Sequence, residues 1–241
     1  MKVVSFKICP FVQRLIGVLE LKRVQYEVEY ISLMDKPDWF LHASPHGKVP
    51  ILMEERGVLF ESGPICEYVE ETCGDIQLHP ADPFEKARHR AWIELAARYY
   101  LIQCRTQRSS TEDELDANRA ELSNAFSKIE AAIEAQPYFI GEKVSMVDAA
   151  WFVLLHRAHI IGECAGVDFL DGFPNTKQWQ QALLRDEALL RSAPAGFQEE
   201  FVNFYLHDGT FLGQMMRAGG GRCGNVRDAC CDPDTLHACC A

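Results

Sequence analysis

The feature that most constrains this chain is a change of period around residues 78–83. Before that point, short apolar runs alternate with helical patterns; after it, every periodic stretch repeats at helical spacing. The boundary itself, Leu78-His79-Pro80-Ala81-Asp82-Pro83, carries two prolines and no periodicity, the composition of a linker. A length of 241 residues suits one large domain or two smaller ones. The expected organisation is a mixed α/β domain over 1–77, an all-helical domain over 84–206 and an extension over 207–241.

In the first part, the run Val3-Val4-Ser5-Phe6 predicts a strand, and Leu15, Val18 and Leu19 predict a helix. Cys9-Pro10 stands at their junction. Pro10 is tolerated there because the first helical N–H groups have no intrahelical partner. A thiol at a helix N-terminus faces those N–H donors and the positive end of the helix dipole, and both favour the thiolate. Such sites bring a cysteine from about 8.5 to roughly 3.5–7.5. Cys9 is therefore a candidate nucleophile, a buried inert thiol being the alternative. A redox dithiol would place a second cysteine at position 12, which is Val12. A redox partner of Cys9 must then come from outside the motif, most simply from a small-molecule thiol.

The alternation from Gln25 to Ile31 predicts a second strand, giving a β-α-β unit with a right-handed crossover. A polar connection and a short helical turn follow around Asp38-Trp39-Phe40. Val49-Pro50 stands at the start of the next strand, where an X-Pro bond is a candidate for cis. Ile51-Leu52-Met53 and Val58-Leu59-Phe60 form a hairpin around Gly57. Ser62 is the expected N-cap of the next helix, with Pro64 in its first turn, and that N-terminus is an anion-binding position. The order is β-α-β-α-β-β-α. Helical stretches are then expected at 84–105, 112–135, from Met146 to about Glu163, and near 175–187 and 195–206. Ser145-x-x-Asp148 reads as a capping box opening an apolar central helix.

Formal net charge is −11, which argues against a nucleic-acid partner. The N-terminal apolar run is too short for a signal peptide, and no run of about 18 apolar residues suggests a membrane span. The expected location is cytoplasmic. Of 10 cysteines, those at 9, 66, 73, 104 and 164 show no framework spacing and are expected as thiols, the last four packing as small hydrophobes. Cys223, Cys230, Cys231, Cys239 and Cys240, with His237, crowd the tail behind a Gly-rich linker. They permit soft-metal binding, a redox-sensitive tail being the alternative. His156 and His159 are expected as core or surface histidines, with no third ligand nearby.

Five segments in order resemble the cytosolic glutathione S-transferases that use an active-site cysteine, closest to the omega class. They are Cys9-Pro10-Phe11, Lys36-Pro37-Asp38-Trp39-Phe40, Gly47-Lys48-Val49-Pro50-Ile51-Leu52, Glu61-Ser62 and Ser145-x-x-Asp148. The resemblance spans roughly residues 1–206. It implies a thioredoxin-like N-terminal domain, an all-α C-terminal domain and glutathione as co-substrate. It also implies roles: Cys9 as catalytic thiol, Ser62 for the γ-glutamyl carboxylate, Glu61 for the ammonium and Val49 before a cis Pro50 for the cysteinyl backbone. Lys36 would meet the glycine carboxylate, with Phe11 and Leu33 as apolar walls. The implied activity is glutathione-dependent thiol transfer: deglutathionylation, dehydroascorbate reduction or mixed-disulfide reduction. The second substrate would be a small electrophile, a disulfide or a glutathionylated molecule. Tyr99, Tyr100 and Trp179 are candidates for the acceptor pocket, helix core being the alternative for each. A homodimer is also implied. Two other functions stay open: a non-catalytic binding protein of the same fold, and metal handling by the tail.

Overall fold

The computed structural model describes residues 1–133, 137–219 and 223. Two compact units divide them, Met1–His79 with Glu187–Ala195, and Pro80–Asp186 with the described part of Gly196–Cys230.

In the first unit, β1 (Lys2–Ser5), α1 (Pro10–Leu21), β2 (Glu27–Tyr30), α2 (Asp38–Ala43), β3 (Ile51–Glu54), β4 (Gly57–Phe60) and α3 (Ser62–Thr72) follow in the expected order. The sheet order is β2-β1-β3-β4, with β1 parallel to β2 and antiparallel to β3, and β3 antiparallel to β4. Alternation along β1 supplies both faces. Val4 and Ile51 pack with Ile31 and Phe40 of α2. Val3 and Leu52, paired across the strands, point the other way, where α1 and α3 pack together; Leu15 and Val18 of α1 and Ile65 and Val69 of α3 are fully buried.

The register decides what this unit can do. Ser5 pairs with Tyr30, Val4 with Ile51, and Ile51 with Phe60. Four chain segments therefore meet at one end of the sheet: the β1–α1 turn with Cys9, the segment after β2 with Leu33 and Lys36, the Val49-Pro50 loop, and the β4–α3 junction with Glu61 and Ser62. At the far end of α1, the Lys22 ammonium is buried. It donates to Glu70 Oε2 (2.8 Å), Glu70 O (3.1 Å) and Ile76 O (2.6 Å), while Glu70 Oε1 accepts the N–H groups of Leu78 and His79. Each partner there satisfies the other and the turn between, so removal of either would leave a buried uncompensated charge.

α8 (Glu187–Leu190), far along the chain, belongs to this first unit and packs on α1, with Gly17 facing Leu189 and Ser192. No local pattern announces that return.

The second unit holds α4 (Pro83–Gln107), α5 (Glu112–Glu130), α6 (Met146–Ala165), α7 (Pro174–Leu183), α9 (Phe197–Tyr205) and α10 (Phe211–Ala218). α6 is its core, buried on nearly every face. The capping box at its start is present: Ser145 accepts from the Asp148 N–H, and Asp148 Oδ2 accepts from the N–H and hydroxyl of Ser145. Asp148 Oδ1 accepts from the Phe139 N–H (2.9 Å) and Trp179 Nε1 (2.7 Å), so one buried carboxylate ties the helix start, the preceding loop and α7. Burial raises the pKa of this carboxyl above its ordinary value, against those hydrogen bonds. α10 falls within 207–241, where the sequence suggests only an extension. It packs on α6, capped by Thr210, and Gly213 comes so close to His207 O that a Cβ would stand 2.0 Å away.

Two cysteines depart from expectation. Cys164, at the end of α6, forms a disulfide with Cys223, 59 residues on. It is not a thiol packing as a small hydrophobe, and Cys223 does not offer a thiolate to a metal. Cys66 and Cys104 are buried thiols, as expected, and Cys73 is half-buried. Cys230, Cys231, His237, Cys239 and Cys240 lie outside the described residues.

Candidate active site

Cys9 is the N-cap of α1, in extended conformation (φ −67°, ψ 124°), with Pro10 as the first helical residue. Its N–H donates to Phe6 O and its carbonyl accepts from Gln13 N, both at 3.0 Å, so the turn out of β1 is closed by backbone alone. The residue is 1% exposed. Val12 is buried on the core side of the helix, where a second cysteine of a dithiol would have stood.

The neighbouring segments are set by their own local chemistry. Ser44 holds the loop before β3 by donating to Lys48 O and accepting from Lys48 N, both at 3.0 Å. Gly47 takes φ +60° there, a value that favours glycine, and its Cα hydrogen points toward Lys36, whose Nζ would lie 3.9 Å from a Cβ. Lys36 thus reaches over to the Val49-Pro50 loop. The Val49-Pro50 bond is cis, as expected. Leu33 is buried, while Phe11 and Val49 are half-buried.

At the β4–α3 junction the structure corrects one expectation. Ser62 is not the N-cap of α3 but its first residue; Glu61 is the N-cap, exposed, with φ +66° and no side-chain cap bond. The Ser62 hydroxyl instead accepts from Arg14 Nη2 of α1 at 2.6 Å. Sequence reasoning missed Arg14. A lone cation inside the apolar stripe of α1 was the available signal, since arginine is almost never fully buried without partners. Cys66, one turn beyond Ser62, is held protonated: burial pushes its thiol up to about 11, with Arg14 acting in the opposite sense. It offers no thiolate to compete with Cys9.

Residues on both sides of Cys9 in sequence also line a cavity of about 170 Å³ toward β2, bounded by Lys7, Val12, Gln13, Tyr30 and Arg191. Of the residues considered for an acceptor pocket, Tyr100 is fully buried with its hydroxyl donating to Ala150 O (2.6 Å), and Trp179 is fully buried on Asp148. Tyr99 is buried as well. All three are packed in the helical unit, the core alternative. His156 stacks between Phe152 and Phe197 (5.1 and 5.5 Å between ring centres), and burial, then the Arg157 and His159 charges, hold its pKa near about 3. It is a neutral core histidine. Among the described residues no cluster of three or more His, Cys, Asp or Glu side chains is placed to hold a metal ion.

A four-stranded α/β unit whose first helix begins at a cysteine, with a cis-proline loop and a helix N-terminus at the same sheet end, is a thioredoxin-like thiol site joined in sequence to a helical domain. Two family models match that plan: the glutathione S-transferase N-terminal domain over residues 3–76 and the corresponding C-terminal domain over 112–182. Glutathione S-transferase omega-1 of Sus scrofa is 34% identical over 194 residues, 78% of each chain. The Mus musculus omega-1 protein is 33% identical over 213 residues, 86% of each chain. The solved glutathione transferase Omega 3C of Trametes versicolor has the same fold (TM-score 0.71, 24% identity, 79% of this chain and 87% of that one). The chain belongs to the glutathione S-transferase family, whose co-substrate is glutathione. None of its described helices is long and apolar enough to cross a membrane.

Proposed function

We propose that the protein is a glutathione-dependent thiol transferase working through a Cys9–glutathione mixed disulfide. The observation that carries this reading is the placement of Cys9 at the start of α1, with no side-chain cap bond there, on the sheet end that also holds Val49-Pro50 and Ser62, and with Val12 where a resolving cysteine would be. In the first step the Cys9 thiolate attacks the glutathionyl sulfur of a mixed disulfide. A Cys9–glutathione disulfide forms, the old S–S bond breaks, and the other sulfur leaves as a thiolate that takes a proton from solvent. In the second step the thiolate of a reduced glutathione attacks that disulfide, yielding oxidised glutathione and restoring Cys9. The net exchange consumes one reduced glutathione, the other half of the oxidised glutathione being the glutathionyl group of the substrate, so a single protein cysteine suffices.

The tripeptide is held by groups of opposite character. The N-terminus of α3, with Ser62, takes the γ-glutamyl carboxylate, and Glu61 pairs with the ammonium. The backbone of Val49 pairs with the cysteinyl unit as an added strand does. Lys36 meets the glycine carboxylate, and Phe11 and Leu33 wall the middle. Because Cys9 is so buried, the reacting sulfur must shed water on approach; binding of the two ends of glutathione offsets that cost. Dehydroascorbate and mixed disulfides are the acceptors to assay. The exposed side chains of Leu41 and Phe60, 49% and 44% accessible, support a homodimer that would cover them, which sedimentation would test.

The decisive experiment is intact mass after incubation with oxidised glutathione, beside Cys9→Ser. The expected result is one adduct at Cys9, reversed by reduced glutathione and missing from the variant. Absence of an adduct at Cys9 would overturn the mechanism in favour of a binding protein of the same fold.

A further inference from the structure

We infer that Arg14 is a positioning residue of this site, fixing the hydroxyl of Ser62 as a hydrogen-bond donor toward the γ-glutamyl carboxylate; the inference rests on the glutathione reading above.

The geometry is specific. Arg14 lies on α1, five residues beyond Cys9, and is 2% exposed. Its Nη2 meets Ser62 Oγ at 2.6 Å, the short separation of a charge-assisted bond. A guanidinium only donates, so the direction of this bond admits one reading: Ser62 accepts. A serine hydroxyl has one proton and two lone pairs. With one lone pair engaged by Arg14, the Ser62 proton points away from the guanidinium, and a carboxylate at the start of α3 draws it into a hydrogen bond beside the backbone N–H groups there. An anion there meets aligned donors.

Without Arg14, a serine in the first turn of a helix is free to turn its proton to a nearby backbone carbonyl, and the ligand would then meet a lone pair. Arg14 also contributes a buried positive charge beneath an anion-binding helix start, where the low dielectric makes it count. Finally it ties α1 to α3, the helix bearing the nucleophile to the helix bearing the anchor. Thiol and carboxylate site are thereby held at one spacing.

The test is a double-mutant cycle on the full chain, reading dissociation constants for glutathione and for γ-aminobutyryl-Cys-Gly, which lacks the γ-glutamyl α-carboxylate. Arg14→Gln should weaken glutathione about tenfold or more, the usual worth of a hydrogen bond to a charged group. Its effect on the analogue should stay within about twofold, and it should add little on a Ser62→Ala background, because both changes remove the same interaction. Arg14→Lys, which keeps the charge, should recover part of the loss; it is also the variant to carry through the cycle if Arg14→Gln does not fold. Equal weakening of both ligands, additivity with Ser62→Ala, or an unchanged constant would overturn the role of Arg14 while leaving the glutathione site standing. A wild-type chain that binds neither ligand would overturn the site itself and this inference with it.

Discussion

The helix starts of the two units are built differently. In the helical unit all but α9, which begins at Gly196 without a side-chain cap bond, are closed by the chain's own side chains. Asp82 caps α4 by accepting from Phe84 and Glu85, Thr111 caps α5, Ser145 and Asp148 box α6, and Thr210 caps α10. Even α7, whose own N-cap Phe173 supplies nothing, has the Glu130 carboxylate of α5 accepting from Asn175 and Thr176. Burial raises the pKa of that carboxyl, and those N–H groups outweigh it, holding it below the usual range. In the first unit α1, α2 and α3 begin at Cys9, Pro37 and Glu61, and none of these side chains makes a cap bond. A capped helix end has spent its donors on stability. An end whose N-cap side chain makes no such bond leaves the cap position open to a ligand or a thiolate, and that unit is tied elsewhere, as by the Lys22–Glu70 pair.

The contrast can be broken from either side. The largest effect expected is from Asp148→Ala, which strands four donors around a buried carboxylate position; chemical denaturation should show a loss of about 4 kcal/mol. Next is the response to acid. His156 titrates near about 3 in the folded chain, against 6.5 for an unperturbed histidine. The unfolded chain therefore takes up a proton that the native chain refuses, so stability present above about pH 6.5 is lost as pH falls, on the order of 3 kcal/mol by pH 4. His156→Phe should flatten the fall of melting temperature over that range; an unchanged profile would mean other groups dominate it. On the other side, Glu61→Gly relieves a side chain held at φ +66° and should raise stability by about 1 kcal/mol while weakening glutathione binding, the trade expected where strain serves a site. A variant that is both less stable and unchanged in binding would remove Glu61 from the site. The smallest change is Thr111→Ala, about 0.5 kcal/mol for one exposed cap read by thermal melts, with glutathione binding untouched.

Much of the fold and of the candidate site is legible in the residues alone. The switch of period at 78–83 separates the strand-bearing part from the helical one, and Cys9-Pro10, Val49-Pro50 and Ser145-x-x-Asp148 each announce their local geometry through chemistry confined to a few neighbouring residues. α10 has its signal too, in Thr210 followed by Leu212 and Met216 at helical spacing, but the run is short and the Cys-rich tail beyond it masks the pattern. The N-cap of α3 falls one residue from its expected place, at the scale on which helix ends are ordinarily uncertain.

What the sequence by itself determined, then, is the order of elements apart from α8 and α10, the cysteine at the head of the first helix and the absence of a second one beside it. These depend on backbone preferences and periodicity, which act within a turn or two of chain. Only the tertiary structure decided that Arg14 reaches Ser62, that Lys22 is buried on Glu70, that α8 returns to α1, and that Cys164 and Cys223 join across 59 residues. The sequence can mark a candidate, as the cation in the apolar stripe of α1 does, but not its partner: only closure of the chain between the two, with the loss of water around both, makes the pair a structural necessity.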